Sequence, residues 1–459
     1  MIGEFRLSQL ATELGVPAPR VDTAFTRVTT DSRSVQPGDL YIALVGERFD
    51  GNDFAADCLA EGACGVVVSR RLETGGSPCL LVPDTLAALA AAARLNRRRS
   101  QSIVVALTGS QGKTSVKEML GSIMARAGET LVTRANLNNN IGVPLTLLDI
   151  DEGHDYAVIE MGANGAGEIA FSVAAALPDI ALITKASAAH LEGFGSLQGI
   201  VEAKGEIIEG LSADGVAVLN ANDPNCAQWV ARAGGRRVRM FSYGGRVAAA
   251  DYRCSEPRLL ENGSQAFHLF TPQGECEVQM SLLGNHSAEN ALSAAACALE
   301  AGLSLDAVRE GLAQAQPVPG RLFPSIGRAG CRLLEDTYNA SPDSYRAAID
   351  VLMSAAGDQV LVAGGMRELG AETDAAHREI GAYAAKRGVP LLLAQGEECR
   401  QLLESYLEAG GRAAKLFEEQ AALARECQEL ASSGHVFLIK GSRGTRMDRI
   451  VSDLLDNDY

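Results

Sequence analysis

Residues 107–120 read LTGSQGKTSVKEML, preceded by the apolar run IVVAL (103–107) and continued by GSIM (121–124). An apolar strand, a glycine turn and a helix in that order aim backbone N–H groups and the positive end of a helix dipole at one point, which suits a phosphate. The familiar glycine loop, G-x-x-x-x-G-K-[ST], would carry a leading glycine where this chain has Leu107. What remains is Gly109, Ser110, Gln111, Gly112, Lys113, Thr114 and Ser115. Within that pattern Lys113 reaches the β and γ phosphates of a nucleotide, and the Thr114 hydroxyl takes Mg²⁺.

Outward from the loop, three segments emerge. Residues 1–100 hold the strand-like runs DLYIAL, GVVVS and CLLV, with an alanine-rich helix over TLAALAAAARLNRRR. Residues 101–318 alternate IVVAL, YAVIEMG, IALIT and GVAVLN with helices, and end in a β-like stretch (FHLF, CEVQMSL) and the helix SAENALSAAACALEAG. VPGRLFP breaks both periodicities and reads as a hinge. Residues 319–459 then alternate CRLLED, QVLVAGG, VPLLLA and HVFLIKG with helical stretches such as SYRAAIDVLMSAAG and EEQAALARECQELASS. The expectation is an α/β protein of three domains built on parallel βαβ units, with sites at the carboxyl ends of strands.

The chain of 459 residues is 47% hydrophobic and 21% charged, as in an ordinary globular protein. No apolar run is long enough to span a bilayer and the amino end does not read as a leader, so a cytoplasmic location is expected. Ten scattered cysteines argue for reduced thiols. With 41 basic and 57 acidic residues, net charge −16, nucleic-acid binding is disfavoured. The cluster Arg97-Arg98-Arg99 reads as a solvated helix end or linker.

Several residues invite chemistry. Glu160 puts a carboxylate at the end of an apolar strand, where it is either a metal ligand or half of a buried ion pair. His190, in TKASAAHLEGFG, lies beyond another strand end, where ligands collect in open parallel sheets. Ser187 in that T-K-x-S segment replaces the aspartate with which GTPases read guanine. Lys204, among Glu202, Glu206 and Glu209 on one helix, has the pattern of a surface ion pair.

Taken in order, TGSQGKTS, NLNNNIGVPLTLL, VIEMGA, AHLEGFGSLQGIVEAKGEI, GNHSAENALSAAA, VPGR, DTYNASPDS and KGSRGTRMD resemble the Mur ligases of peptidoglycan synthesis, from TDSRSVQPGDLYIAL (30–44) to KGSR (440–443). That family uses the shorter glycine loop. The resemblance implies an amino-terminal domain holding a UDP group, a central P-loop ATPase domain and a Rossmann-like carboxyl-terminal domain. It also implies ATP, two Mg²⁺ ions and a CO₂-derived carbamate on Lys204, with UDP-N-acetylmuramoyl-tripeptide and D-alanyl-D-alanine as substrates. The sequence carries no coiled-coil heptads or other interface signature, so a monomer is the default expectation. Lys113, Lys204, His190 and Arg321 would act in catalysis, and Thr114, Glu160, His190 and Lys204 at the metals. Asn290, Arg321, Asp336 and Asn339 fall where the family grips the nucleotide. Asp31, Ser32 and Arg33 match its uridine segment, Asn138 and Asn139 its peptide loop, and Lys440, Ser442 and Arg443 its acceptor-side motif. Ser287, Lys185 and Gly365 stand where asparagine, asparagine and aspartate are frequent. Addition of another amine, or a scaffold that retains only nucleotide binding, are the alternative readings.

Overall fold

The computed structural model describes residues 1–72, 75–187 and 191–455. Ile103–Thr108 lies between Tyr156–Glu160 and Ile180–Ile183, and all three run parallel. Val104 and Ala106 point into one core and Val105 and Leu107 into another, because helices cover both faces of the sheet. A strand buried on both sides has to be apolar throughout, hence IVVAL. Leu107 pairs with Leu182 and Glu160, so the place of the absent leading glycine is still extended strand.

From this centre the sheet grows through Val216–Asn220, Arg237–Tyr243 and Tyr252–Cys254, all parallel, to an antiparallel end in which Gln265–Thr271 pairs with Gly274–Met280. Thr130–Val132 closes the other edge. The sheet totals ten strands among the described residues. RVRMFSY (237–243) and TLV (130–132) escape a reading by apolar runs. In the first, Arg239 donates to Glu300 and Asp251 at one sheet face, which satisfies charge inside a strand.

The amino-terminal sheet is four parallel strands, Val28–Thr29, Leu40–Ile42, Gly65–Val68 and Cys79–Leu81. Its helix Thr85–Arg99 belongs as much to the central domain. Asn96 Nδ2 donates to the carbonyls of Leu147 and Ile150 at 2.8 and 2.9 Å. Arg97, 8% exposed, donates to the carbonyls of Ala176 and Leu177 and to the Asp179 carboxylate. Arg98 pairs with Glu13, and Arg99 donates to the carbonyls of Ile2 and Glu4. The arginine cluster is thus a seam between domains rather than a solvated end. Apolar side chains from Phe5 to Trp229 form one continuous core across that seam.

The carboxyl-terminal sheet has six strands in the order Phe323–Ile326, Arg332–Asp336, His435–Lys440, Asp358–Ala363, Leu391–Gln395 and Ala413–Phe417. All neighbours are parallel except the first pair. The hinge sequence splits here: VPG turns, while Phe323 and Pro324 already lie in the edge strand, where a residue without an N–H is tolerated. Helix Pro342–Ser354 starts with Ser341 as its N-cap and proline in its first turn. No described helix is long and apolar enough to cross a membrane.

Candidate active site

Gly109 (φ 151°) and Gly112 (φ 81°) shape the loop after Ile103–Thr108. A Cβ at Gly109 would lie 1.9 Å from Thr184 Oγ1, and one at Gly112 would lie 2.5 Å from Asn290 Oδ1. Both positions exclude any side chain, the second also by its left-handed backbone. Thr184 Oγ1 donates to the Gln111 carbonyl at 2.6 Å, and the Ser110 N–H donates to the Lys185 carbonyl at 2.8 Å. Lys113, first residue of helix Lys113–Met124, bends its Nζ back to the Gly109 carbonyl at 2.7 Å.

Below the loop Thr114 Oγ1 donates to Glu160 Oε1 (3.2 Å), and Asn138 Nδ2 donates to the same oxygen (2.8 Å). Glu160 is 1% exposed, yet its Oε2 has no hydrogen-bond partner. A buried carboxylate oxygen left without a donor is costly unless a cation answers it, and the Lys117 ammonium lies 3.9 Å from this one, beyond hydrogen-bond reach. Among the described residues no group of three or more His, Cys, Asp or Glu side chains is placed to hold a metal. The Thr114 hydroxyl and the Glu160 carboxylate are oxygens of the kind Mg²⁺ takes, one or two beside waters and substrate phosphates. His190 lies outside the described residues.

Lys204 is 4% exposed, on helix Leu197–Gly205, with its Nζ 5.2 Å from the centre of the Phe194 ring. The surface ion-pair reading fails here. Glu206 accepts from the N–H groups of Gly167 and Ala170, Glu209 from Arg232, and Glu202 from Gln198. Burial, with Lys113 nearby, pulls the Lys204 ammonium down to about 7.

Across a cleft of about 670 Å³ the third domain faces this floor. Gly109, Ser110, Gln111, Gly112, Lys113 and Ser115 line it together with Asn138, Asn139, Glu160, Lys204 and Asn290, and, from beyond the hinge, Arg321, Asp336, Asn339, Lys440, Ser442 and Arg443. Arg321 Nη2 donates to Thr114 Oγ1 at 2.9 Å, and its guanidinium lies 4.4 Å from the Tyr338 ring. Arg443 approaches the same ring at 6.0 Å. Lys440, fully buried, donates to Asp336 Oδ2 (2.6 Å) and the Asn339 carbonyl (3.1 Å), so two motifs far apart in sequence form one ion pair. Ser442 Oγ accepts from the Arg367 N–H. Asn139 accepts from the Ile141 and Gly142 N–H groups and so shapes its own loop.

Asp31, Ser32 and Arg33 are not brought to the cleft lining. Asp31 caps the short turn Ser32–Ser34, and its bidentate pairing with Arg33 holds its carboxyl down at about 2.

The three unusual positions each have a structural account. Ser287 Oγ donates to the Leu283 carbonyl at 2.8 Å. Lys185 Nζ lies 3.6 Å from Asp343 Oδ2 across the cleft. A Cβ on Gly365 would meet Glu398 at 2.5 Å, so the Glu398 carboxylate already fills that space. Sequence reasoning missed Tyr338, Glu398, Lys117 and His377. Fully buried, His377 accepts from the Met366 N–H at 3.0 Å and faces the Thr373 carbonyl with Nδ1 at 2.7 Å, which requires the proton on Nδ1 and pins the cleft-lining turn after Ala363. Its signal was absent because an isolated histidine within a helix carries no pattern.

A glycine loop that faces the carboxyl-terminal α/β domain across a cleft, with a buried lysine and a buried carboxylate between them, marks the class of nucleotide-dependent enzymes. Family models described as Mur ligase family, catalytic domain, Mur ligase middle domain, and Mur ligase, glutamate ligase domain match residues 24–107, 107–298 and 320–443. The chain belongs to the Mur ligase family. It is 42% identical to UDP-N-acetylmuramoyl-tripeptide--D-alanyl-D-alanine ligase of Escherichia coli (strain K12), over 98% of each chain. Crystal structure I of MurF from Acinetobacter baumannii superposes with a TM-score of 0.89 at 36% identity, covering 99% of both chains. MurF ligase from Thermotoga maritima, solved in complex with ADP, gives 0.82 at 27% identity, covering 93% of this chain and 96% of that one.

Proposed function

We propose that the chain is an ATP-dependent ligase that joins D-alanyl-D-alanine to UDP-N-acetylmuramoyl-tripeptide, acting as a monomer in the cytoplasm. The observation that carries this reading is the Arg321–Thr114 hydrogen bond, which ties the hinge arginine to the nucleotide loop and so couples closure of the third domain to the phosphates. Names of relatives at high coverage support the substrates.

A carboxylate does not react with an amine unaided. The tripeptide's terminal carboxylate oxygen attacks the γ-phosphorus of ATP, the bond to the β-phosphate oxygen breaks, and ADP leaves with that electron pair. The dipeptide's neutral amine then attacks the acyl carbon, loses its proton, and phosphate departs as the amide forms. Lys113 releases the Gly109 carbonyl to meet the γ-phosphate, and Arg321 approaches the same charge from the hinge side. Thr114 and Glu160 fit Mg²⁺, whose charge would offset that of the phosphates. Gly109, Ser110, Gln111, Gly112 and Ser115 frame the phosphates, while Asn290, Asp336 and Asn339 surround the nucleoside. Lys440, Ser442 and Arg443 lie on the dipeptide side, Asn138 and Asn139 near the tripeptide, and Asp31, Ser32 and Arg33 hold the uridine end. Lys204, pulled down to about 7 and so partly unprotonated at neutral pH, fits addition to CO₂, because only the unprotonated amine is nucleophilic. His190 is assigned to the metals by resemblance alone. Closing the third domain excludes water from the acyl phosphate.

With purified protein, ADP release should require ATP, the UDP-linked tripeptide and D-alanyl-D-alanine together; ADP formation indifferent to the amine would refute the assignment. Arg321→Ala should lower kcat by about a hundredfold while ATP binding changes little, the pattern of an interaction made on closure. Equal losses in both would deny Arg321 that role.

A further inference from the structure

Helix Lys113–Met124 buries Val116, Met119, Leu120, Ile123 and Met124, and among these apolar positions it also buries a lysine. Lys117 is 1% exposed. Lysine is almost never fully buried without partners that answer its charge. Here Nζ donates to the Thr133 carbonyl at 2.8 Å and lies 2.9 Å from Glu118 Oε1 and 3.9 Å from Glu160 Oε2. The last of these is the buried carboxylate oxygen with no hydrogen bond. The Glu160 backbone is fixed from the same side, since its N–H donates to Thr133 Oγ1 at 3.0 Å. Thr133 therefore anchors Lys117 through its carbonyl and Glu160 through its hydroxyl.

We infer that Lys117 is a positioning residue for the divalent-cation site: from beneath the glycine loop it holds the Glu160 carboxylate so that Oε1 is engaged by Thr114 and Asn138 while Oε2 faces the incoming ion. The inference rests on the reading of Glu160 as a metal ligand. Lys113, Thr114 and Lys117 occupy one helix face at spacings of one, three and four residues, so a single turn carries the phosphate lysine, the ion-binding hydroxyl and the lysine that braces the opposing carboxylate. A cation set only to balance charge would instead oppose Mg²⁺, and its removal would tighten the ion. A brace predicts the reverse.

The test measures ADP binding by calorimetry as Mg²⁺ is varied, without turnover. In Lys117→Met the Mg²⁺ concentration that half-maximally promotes ADP binding should rise about tenfold, corresponding to ~1.4 kcal/mol, while ADP binding without Mg²⁺ stays unchanged. Lys117→Arg, which keeps the charge, should recover part of the shift. Glu160→Gln should lose the Mg²⁺ dependence, and Glu160→Gln with Lys117→Met should be no worse than Glu160→Gln alone. A lowered melting temperature with an unaltered Mg²⁺ midpoint, or a lower midpoint, in Lys117→Met overturns the inference. Unaltered Mg²⁺ dependence in Glu160→Gln overturns the metal reading of Glu160 itself. If Lys117→Met does not fold, the double variant, which strands no buried charge, carries the comparison with Glu160→Gln, and a further shift in it counts against the brace.

Discussion

At the level of single side chains, burial does most of the chemical work. Lys204 would keep its proton to about 10.4 in water; enclosed near Lys113 and Phe194 it gives it up at about 7. Below that value the amine is cationic and inert to CO₂, and above it the amine is free to add. Carbamate occupancy at fixed dissolved CO₂ should therefore climb through neutral pH. Carbon-13 NMR of protein equilibrated with labelled bicarbonate should show one carbamate resonance that disappears in Lys204→Arg, and a resonance that survives that substitution would place the modification elsewhere. The sequence identified this lysine only through family likeness, because helix neighbours at Glu202, Glu206 and Glu209 disguise it as a surface residue. Glu202 accepts from Gln198 one turn back on the same helix, while Glu206 and Glu209 turn to Gly167 and Arg232, tertiary contacts that no local pattern encodes.

At the level of elements, the strand-loop-helix unit was legible from its residues. Apolar run, paired glycines and helix periodicity all describe one local object. Gly109→Ala should abolish ADP binding, since the added methyl collides with Thr184 Oγ1 and must displace the loop; circular dichroism should remain that of the parent. Retained affinity would show that the loop can shift at little cost. Harder to read were elements whose charges are satisfied at a distance. Strand Arg237–Tyr243 carries two arginines that are answered by Glu300 and Asp251, and helix Thr373–Arg387 carries His377, which accepts from the Met366 N–H in the segment before that helix. The cleft was legible in its composition but not in its pairings: Asp336 with Lys440 and Lys185 with Asp343 join segments that only the folded chain brings together.

At the level of the whole molecule, the boundary expected near residue 100 divides a single core, while the expected hinge near 318 separates two. The shared core was not legible because a helix that serves two domains has the periodicity of one that serves either. Arg97→Leu strips donors from the Ala176 and Leu177 carbonyls and should destabilise the protein by about 2–6 kcal/mol, at roughly 1–3 kcal/mol for each buried acceptor left unpaired. Denaturant titration should show this as a shift of the transition in which the first two domains melt together. Separate transitions for those domains would contradict the shared core. Limited proteolysis should likewise cut the 316–322 connection before any bond near 100. Across the cleft the described residues make polar contacts, Gln111 to Ser341 at 2.8 Å, Arg321 to Thr114, and Lys185 to Asp343, with no core cluster spanning them. Mechanically, then, the molecule is a jaw with one fixed half. If the uridine end and the triphosphate bind as proposed, both would sit on domains that share one core, so the distance between them would be set at folding and would act as a ruler for the length of the nucleotide-linked peptide. On the same proposal, the half that brings the amine would be the one left to swing.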